Sequence, residues 1–236
     1  MKNVTVDDEF WALFPEATIN LLVLKDIKNE VDPSKDAHFA GLLAEAQKTA
    51  KTFLTEDVFS QNQVIAEWRA AYTKFKTKKG ARSSIEALLK RIDQGKLLGT
   101  INPLVDIYNS ISLSFALPAG GEDIDKLDGD LHLGVAQGGE SFLPLGAEAD
   151  EPALPGEVIY YDNSGAVCRC FNWREAQRTM LTEDTKNVVL VLEALNEEQQ
   201  TRAQAALVAL QAAALSEFGT TGDAHRITIE AKTTTL

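Results

Sequence analysis

Two textures follow one another along this chain, and their order restricts the fold more than any single motif. Through the first half, apolar residues recur at helical spacing. A helix is predicted from about Ala37 to Phe53, marked by Phe39, Leu42, Leu43, Ala46 and Ala50, and another from about Asn62 to Phe75, marked by Ile65, Trp68, Ala71 and Tyr72. Gly80 interrupts the pattern. Ser83 or Ser84 can cap a third helix carrying Ile85, Leu88, Leu89 and Ile92, and Asn102-Pro103 opens a fourth that ends before Pro118. From Gly120 onward, short apolar runs alternate with Gly, Pro, Asp and Asn. The expected strands are Leu131–Ala136, Ser141–Leu145, Glu157–Asp162, Ala166–Asn172 and Asn187–Leu195. A buried strand at Ala17–Ile27 comes before all the helices. Asn196, with Gln199 three residues on, opens a last helix that runs to Gly219, and His225–Lys232 reads as a closing strand. Helices first and a mainly antiparallel sheet second imply an α+β domain, with N-terminal helices packed on the sheet, rather than a doubly wound one. The expected division is an N-terminal strand and helix integrated with the core (1–60), the main domain (61–218), and a closing strand and tail (219–236).

The chain has 236 residues and a formal net charge of −12, which by itself argues against a protein that coats nucleic acid. The charge is uneven, however. Lys74-Phe-Lys-Thr-Lys-Lys-Gly-Ala-Arg82 is strongly basic, whereas the acids gather at 140–157 and 183–198. One basic patch on an acidic body suits local contact with a nucleic acid, and equally a solvated loop. No apolar run reaches the length of a membrane span, and the N-terminus lacks an apolar signal core. The expectation is therefore a cytoplasmic protein with no membrane partner. Cys168 and Cys170, two apart on an expected strand, would share a face as reduced thiols and make only half of a metal site.

No phosphate-cradling Gly-Lys-Ser/Thr loop, His-Glu-x-x-His or Gly-x-Ser-x-Gly occurs, and the three histidines are scattered. Three polar clusters remain. Arg82-Ser83-Ser84 stands at a helix start, where an anion is favoured. Asn102, Asp106 and Asn109 line one helix face, which is either a solvent face or a pocket wall. Asn172-Trp173-Arg174, with Arg178 close behind, combines an aromatic ring, an amide and cations. Such a group can bind a nucleotide or a small polar ligand, or simply pack arginine on tryptophan.

The stretch from Asn102 to Asp162 resembles the editing module of the phenylalanyl-tRNA synthetase beta subunit. The pieces that carry the resemblance are Leu104–Asn109, Pro118, Glu122–Asp125, Gly139-Glu140, Leu145-Gly146 and Val158–Asp162, with Glu183–Leu190 downstream. Two departures stand out. The synthetase's histidine after the proline is absent from Ala119-Gly120-Gly121, and its glycine-rich turn is replaced by Asn172-Trp173-Arg174. Together with RSSIEALLKR and NPLVDIYN, these departures make the chain more similar to free-standing members of that superfamily, the trans-editing aminoacyl-tRNA deacylases such as canavanyl-tRNA deacylase. The resemblance implies hydrolysis of the ester between an amino acid and the terminal ribose of tRNA, with canavanine on arginine tRNA as one candidate. It implies no cofactor and no metal. Asp106, Asn109, Gly146, Asn172, Trp173 and Arg174 are expected to line the amino-acid pocket. Lys74, Lys76, Lys78, Lys79, Arg82, Ser83 and Ser84 are expected to hold the acceptor end of the tRNA. The alternatives are a non-catalytic module that binds tRNA or an amino acid, and an interaction partner of an aminoacyl-tRNA synthetase.

Overall fold

The structure, a computed structural model, describes residues 2–236. In chain order it builds β1 (Asn3–Val6), α1 (Asp8–Leu13), β2 (Thr18–Leu24), α2 (Asp36–Lys51), α3 (Gln63–Ala71), α4 (Ser84–Asp93), α5 (Pro103–Phe115), β3 (Ala119–Asp123), β4 (Leu131–Val135), β5 (Val158–Asp162), β6 (Gly165–Arg169), β7 (Arg174–Glu175), β8 (Val188–Ala194), α6 (Glu197–Phe218), β9 (Asp223–Ile227) and β10 (Thr233–Thr235). The fold is α+β. One sheet runs β10-β1-β4-β5-β6-β7 and the other β3-β8-β2-β9. Strands pair antiparallel except β1 with β4.

The helix ends follow local chemistry. Asn102 Oδ1 accepts the Val105 N–H (3.1 Å) at the start of α5, with Pro103 in the first turn, where its missing N–H costs nothing. At α6, Asn196 Oδ1 accepts the Gln199 N–H (2.9 Å), and Gln199 Oε1 accepts from the Leu195 N–H (2.9 Å). Gly219, at φ 74°, closes that helix in the left-handed region.

All seven residues of β2 and all seven of β8 are buried. Strand alternation then sorts their side chains into two cores. Ile19, Leu21 and Val23, with Val189 and Val191, meet Leu131, Leu133, Val158 and Tyr160 of the six-stranded sheet. Leu22 and Leu24, with Leu190 and Leu192, meet Leu104, Ile111, Ala206 and Leu210 of α5 and α6. Helices α5 and α6 thus cover the outer face of the four-stranded sheet, whereas α1, α3 and α4 bury Phe10, Trp68 and Leu89 in the core between the two sheets. None of the helices is long and apolar enough to cross a membrane, among the described residues.

Some elements depart from sequence expectation. Strand β1 and helix α1 were not expected, and β3 is built on Ala119-Gly-Gly-Glu-Asp123, a composition that argues against a strand. Ser141–Leu145 is not a strand; its one ladder contact is the bridge between Pro144 and Ala176. The closing strand begins earlier, at Asp223, and Thr228–Ala231 turns the chain into β10.

Candidate functional site

Strand β6 ends at Arg169, and the chain then reverses through Cys170 (φ 48°) and Phe171 (φ 67°). Two successive non-glycine residues in the left-handed region cost about 1–3 kcal/mol each and persist only where packing enforces them. Here Phe171 supplies that packing. It is fully buried, with its ring 5.3 Å from Phe10 and 5.6 Å from Trp68. The reversal places β7 alongside β6, with Cys168 opposite Glu175. It also corrects one expectation: Cys170 lies beyond the strand, so the two thiols do not share a face. Cys168 faces a cavity, whereas Cys170 Sγ accepts the Lys78 N–H (3.4 Å).

That cavity, of about 330 Å³, lies between the two sheets. Ala119, Gly120, Gly121 and Glu122 of β3 and Val191 and Glu193 of β8 form one wall. Leu131, Tyr160, Cys168 and Glu175 form the other, and Ser84, Leu145 and Asn172–Arg174 complete it. Asn172 is held through its Oδ1, which accepts from the Tyr72 hydroxyl (3.1 Å) and the Ser84 N–H (3.3 Å). Its Nδ2 has no partner, and neither do Ser84 Oγ, Glu122 Oε2 and Glu193 Oε2, all buried. Orphaned polar atoms of this kind are rare in folded chains. Four gather around this cavity; the Asn172 amide adjoins Glu193, and the Thr179 hydroxyl adjoins Glu122, so part of this capacity is met within the wall itself.

Three carboxyl groups meet this cavity. Glu193 is 3% exposed and lies on the face of β8 that carries Val189 and Val191, where strand periodicity calls for an apolar residue. Burial raises its pKa to about 7, and the hydrogen bond from the Tyr160 hydroxyl (3.0 Å) acts the other way. Glu122 is 5% exposed and is pushed well above the ordinary range, first by burial and then by the charge of Glu175. Glu175 is half-buried. Loss of solvent raises it to about 7 against the opposing hydrogen bond from the Gly121 N–H.

The rim is basic and aromatic. Arg174 is exposed, with its guanidinium 5.2 Å from the centre of the half-buried Trp173 ring. The basic loop runs beside the hairpin: the Lys76 N–H binds Gly156 O (3.0 Å), and the Lys78 ammonium pairs with Glu151. Lys79 and Arg82 are exposed and have no acidic partner among the described residues; neither lines the cavity, and Arg82 borders a separate cleft with Arg69, Glu86 and Lys90. Lys74 points elsewhere, over the Phe14 ring and into a separate cleft with Glu16 and Glu67. Ser83 is 1% exposed, and its hydroxyl is committed to capping α4 through the Glu86 N–H (3.3 Å).

Of the expected pocket residues, Asn172, Trp173 and Arg174 therefore meet in one cavity. Asp106, Asn109 and Gly146 do not line it. Asp106 is buried at the start of α5, accepts the Ile101 N–H (2.9 Å) and borders a different, small cleft with Asp36 and Phe39. Asn109 is half-buried away from the cavity. Gly146 sits at φ 77° in a turn that presents its neighbour Leu145 instead. Arg178, the last cation of that cluster, makes a bidentate pair with Asp162 (2.8 and 2.7 Å) and belongs to the scaffold. Glu122, Glu175 and Glu193 were not expected. The legible signal for Glu193 was one acid in the apolar run Val188–Ala194. No group of three or more His, Cys, Asp or Glu among the described residues is placed to hold a metal ion.

Residues 67–232 match the model of the B3/4 domain, which is more than half of the chain. The chain belongs to the B3/4 domain family. The matched span includes every wall of the cavity, so the cavity is part of the B3/4 domain and not an addition to it. None of the curated proteins matches the chain. Among solved structures it is similar to an N-terminal fragment of the phenylalanyl-tRNA synthetase beta-subunit from Pyrococcus horikoshii, at 13% identity and a TM-score of 0.49. That alignment covers 94% of this chain and 49% of the fragment, so the chain spans about half of the fragment's length.

Proposed function

We propose that this B3/4 domain hydrolyses the ester of a mischarged aminoacyl-tRNA in trans. The observation that carries the reading is the cavity between the sheets, with buried Glu122, Glu193 and Asn172 inside and the Trp173–Arg174 pair at its edge. Its volume suits an amino-acid side chain. Trp173 offers a face on which the terminal adenine can stack, and Arg174, Lys79 and Arg82 offer cations for the phosphates that follow. The aminoacyl ester is already activated, so a positioned water among oriented polar groups suffices and no strong nucleophile is needed.

The three carboxyl groups favour an amino acid with a cationic side chain. A guanidinium-type group brings several donors to carboxyl oxygens such as Glu122 Oε2 and Glu193 Oε2, which have no donor within hydrogen-bond distance. Canavanine on arginine tRNA fits this chemistry, in keeping with the resemblance of Asn172-Trp173-Arg174 to the free-standing deacylases.

The test is a deacylation screen across mischarged tRNAs, with canavanyl-tRNA and its arginyl counterpart included. Release above the spontaneous rate for a cationic amino acid is the expected result. Tight tRNA binding with no release for any pair would instead assign a non-catalytic binding module. Two further outcomes are expected from the rim. Replacing Lys78, Lys79 and Arg82 with Ala should weaken tRNA binding and lower the slope of log K against log salt by about 1–2, because two of the three are unpaired cations. An unchanged slope would make the loop solvated surface only. Arg174→Ala should reduce turnover of charged tRNA while leaving the thermal midpoint within about 2 °C, since an exposed side chain contributes little to stability.

A further inference from the structure

The three acids of the cavity are not equivalent, and their depths divide the work between them. A tRNA cannot enter a space of about 330 Å³, so only the amino acid goes in and the scissile ester stays at the mouth. Glu193 and Glu122, 3% and 5% exposed, lie where the side chain reaches. Glu175 is the least buried of the three. It sits on the edge strand β7, beside exposed Arg174 and next to the lip, where the Leu145 N–H binds its backbone oxygen (3.2 Å). One oxygen of its carboxylate lies close to bare backbone: a Cβ built on Gly120 would stand 3.1 Å from Glu175 Oε1. Gly120 therefore clears the space through which that carboxylate reaches the mouth.

Resting on the deacylase reading above, we propose that Glu175 is the general base that activates the hydrolytic water at the mouth of this cavity. The water oxygen adds to the ester carbonyl carbon while its proton passes to the Glu175 carboxylate. The tetrahedral intermediate then collapses, the bond between the carbonyl carbon and the ribose oxygen breaks, and the proton on Glu175 moves to that leaving oxygen. The products are free amino acid and uncharged tRNA, and Glu175 returns as carboxylate.

The surroundings fit the task. Glu122 of β3 and Glu193 of β8 face Glu175 across the cavity, Cys168 of β6 is its ladder partner and Tyr160 of β5 lies beyond on the same wall, the Tyr108 phenol of α5 lies within range of its charge, and Arg174 adjoins it on its own strand. None of these acids or phenols offers it a compensating positive charge, and burial pushes it above the ordinary carboxylate range, which strengthens it as a base. A bound cationic side chain would lower its pKa and widen the pH range of activity.

The experiment uses the full chain with canavanyl-tRNA under single-turnover conditions, and an amide-linked, non-hydrolysable analogue for binding. The wild-type rate should rise with pH through a plateau. Glu175→Gln should lower it about 10²–10⁴-fold, remove the plateau so that the residual rate tracks hydroxide, and leave the analogue's Kd within about threefold. Glu175→Ala should regain part of its rate on addition of formate, which a merely structural role would not allow. Gly120→Ala, which displaces the carboxylate by a few tenths of an ångström, should lower the rate more than the affinity. A wild-type-like rate and pH profile in Glu175→Gln would overturn the assignment alone. So would loss of affinity in proportion to rate, which would make Glu175 a binding group. If the wild type releases no amino acid from any charged tRNA, the deacylase reading falls and the base falls with it.

Discussion

Arg169→Ala is expected to destabilise the fold by about 3–5 kcal/mol, the usual cost of breaking a buried ion pair by removing one partner. Arg169 is 2% exposed, and its guanidinium meets the fully buried Glu157 carboxylate through two bonds, Nε to Oε2 (2.8 Å) and Nη2 to Oε1 (2.6 Å). Its remaining nitrogen donates to Glu151 O, and its plane lies 5.7 Å from the Phe142 ring. Deleting it leaves Glu157 charged, dry and unpaired. Urea unfolding should show the loss. Replacing both partners with apolar residues of similar volume should restore most of it, because the desolvation cost of the pair then disappears as well. If the single and double variants are equally unstable, packing and not charge explains the effect. The segment from Glu140 to Glu151, which carries Leu145 at the cavity lip, should become protease-sensitive in Arg169→Ala before the sheets unfold.

Glu193→Gln should stabilise the ligand-free protein at pH 8 and do nothing near pH 4.5. Glu193 is raised to about 7 in the fold, mainly by burial, from an ordinary value of 4.5. The fold therefore prefers the protonated acid. Its contribution is fully present below the unfolded value and is lost as pH rises through the folded one. The gap corresponds to about 3 kcal/mol at most, from the value of 1.36 kcal/mol per tenfold change in proton affinity. Glutamine keeps the shape and can still accept from the Tyr160 hydroxyl while removing the charge. Thermal midpoints from pH 4.5 to 8 should converge at the acid end, separate progressively from about pH 5 and reach their full difference above about pH 7. A constant offset across that range would show that the carboxyl does not titrate in the fold. The same variant should lose affinity for a cationic amino acid, so one residue is expected to trade stability for binding.

Much of the architecture was legible because it is encoded locally. The caps at Asn102 and Asn196 fall at the expected residues, and the alternation in β2 and β8 gives two buried faces. The elements that escaped prediction depend on distant partners. Strand β3 has two glycines and two acids, yet it pairs with β8 along its whole length. Gly121 is required there by contact, since a Cβ would stand 2.6 Å from Leu190 Cδ2. Strand β1 exists through β4 and β10, more than a hundred residues away. The site divides in the same way. Asn172-Trp173-Arg174 stood out as a contiguous cluster. Glu122, Glu175 and Glu193 come from three separate strands, and only the stacking of the two sheets brings them together. Asp106 was a misleading signal, because an acid on an apolar helix serves its own N-terminal loop equally well.

The lip of the cavity is an attachment more than a structural member. Between Gln137 and Glu157 the chain forms no regular strand; Arg169 and Lys78 fasten it through Glu151, and Ser141, Leu143 and Leu145 tie it by backbone bonds to Ala166, Gln177 and Glu175. Backbone bonds carry most of that attachment, so an exposed side chain such as Leu145 can change while the bonds to the strands beneath remain. Leu145 can be exchanged for a larger or smaller neighbour while the acids stay in place. A change of side chain at Leu145 would resize the entrance to the cavity while the backbone of the loop stays where it is.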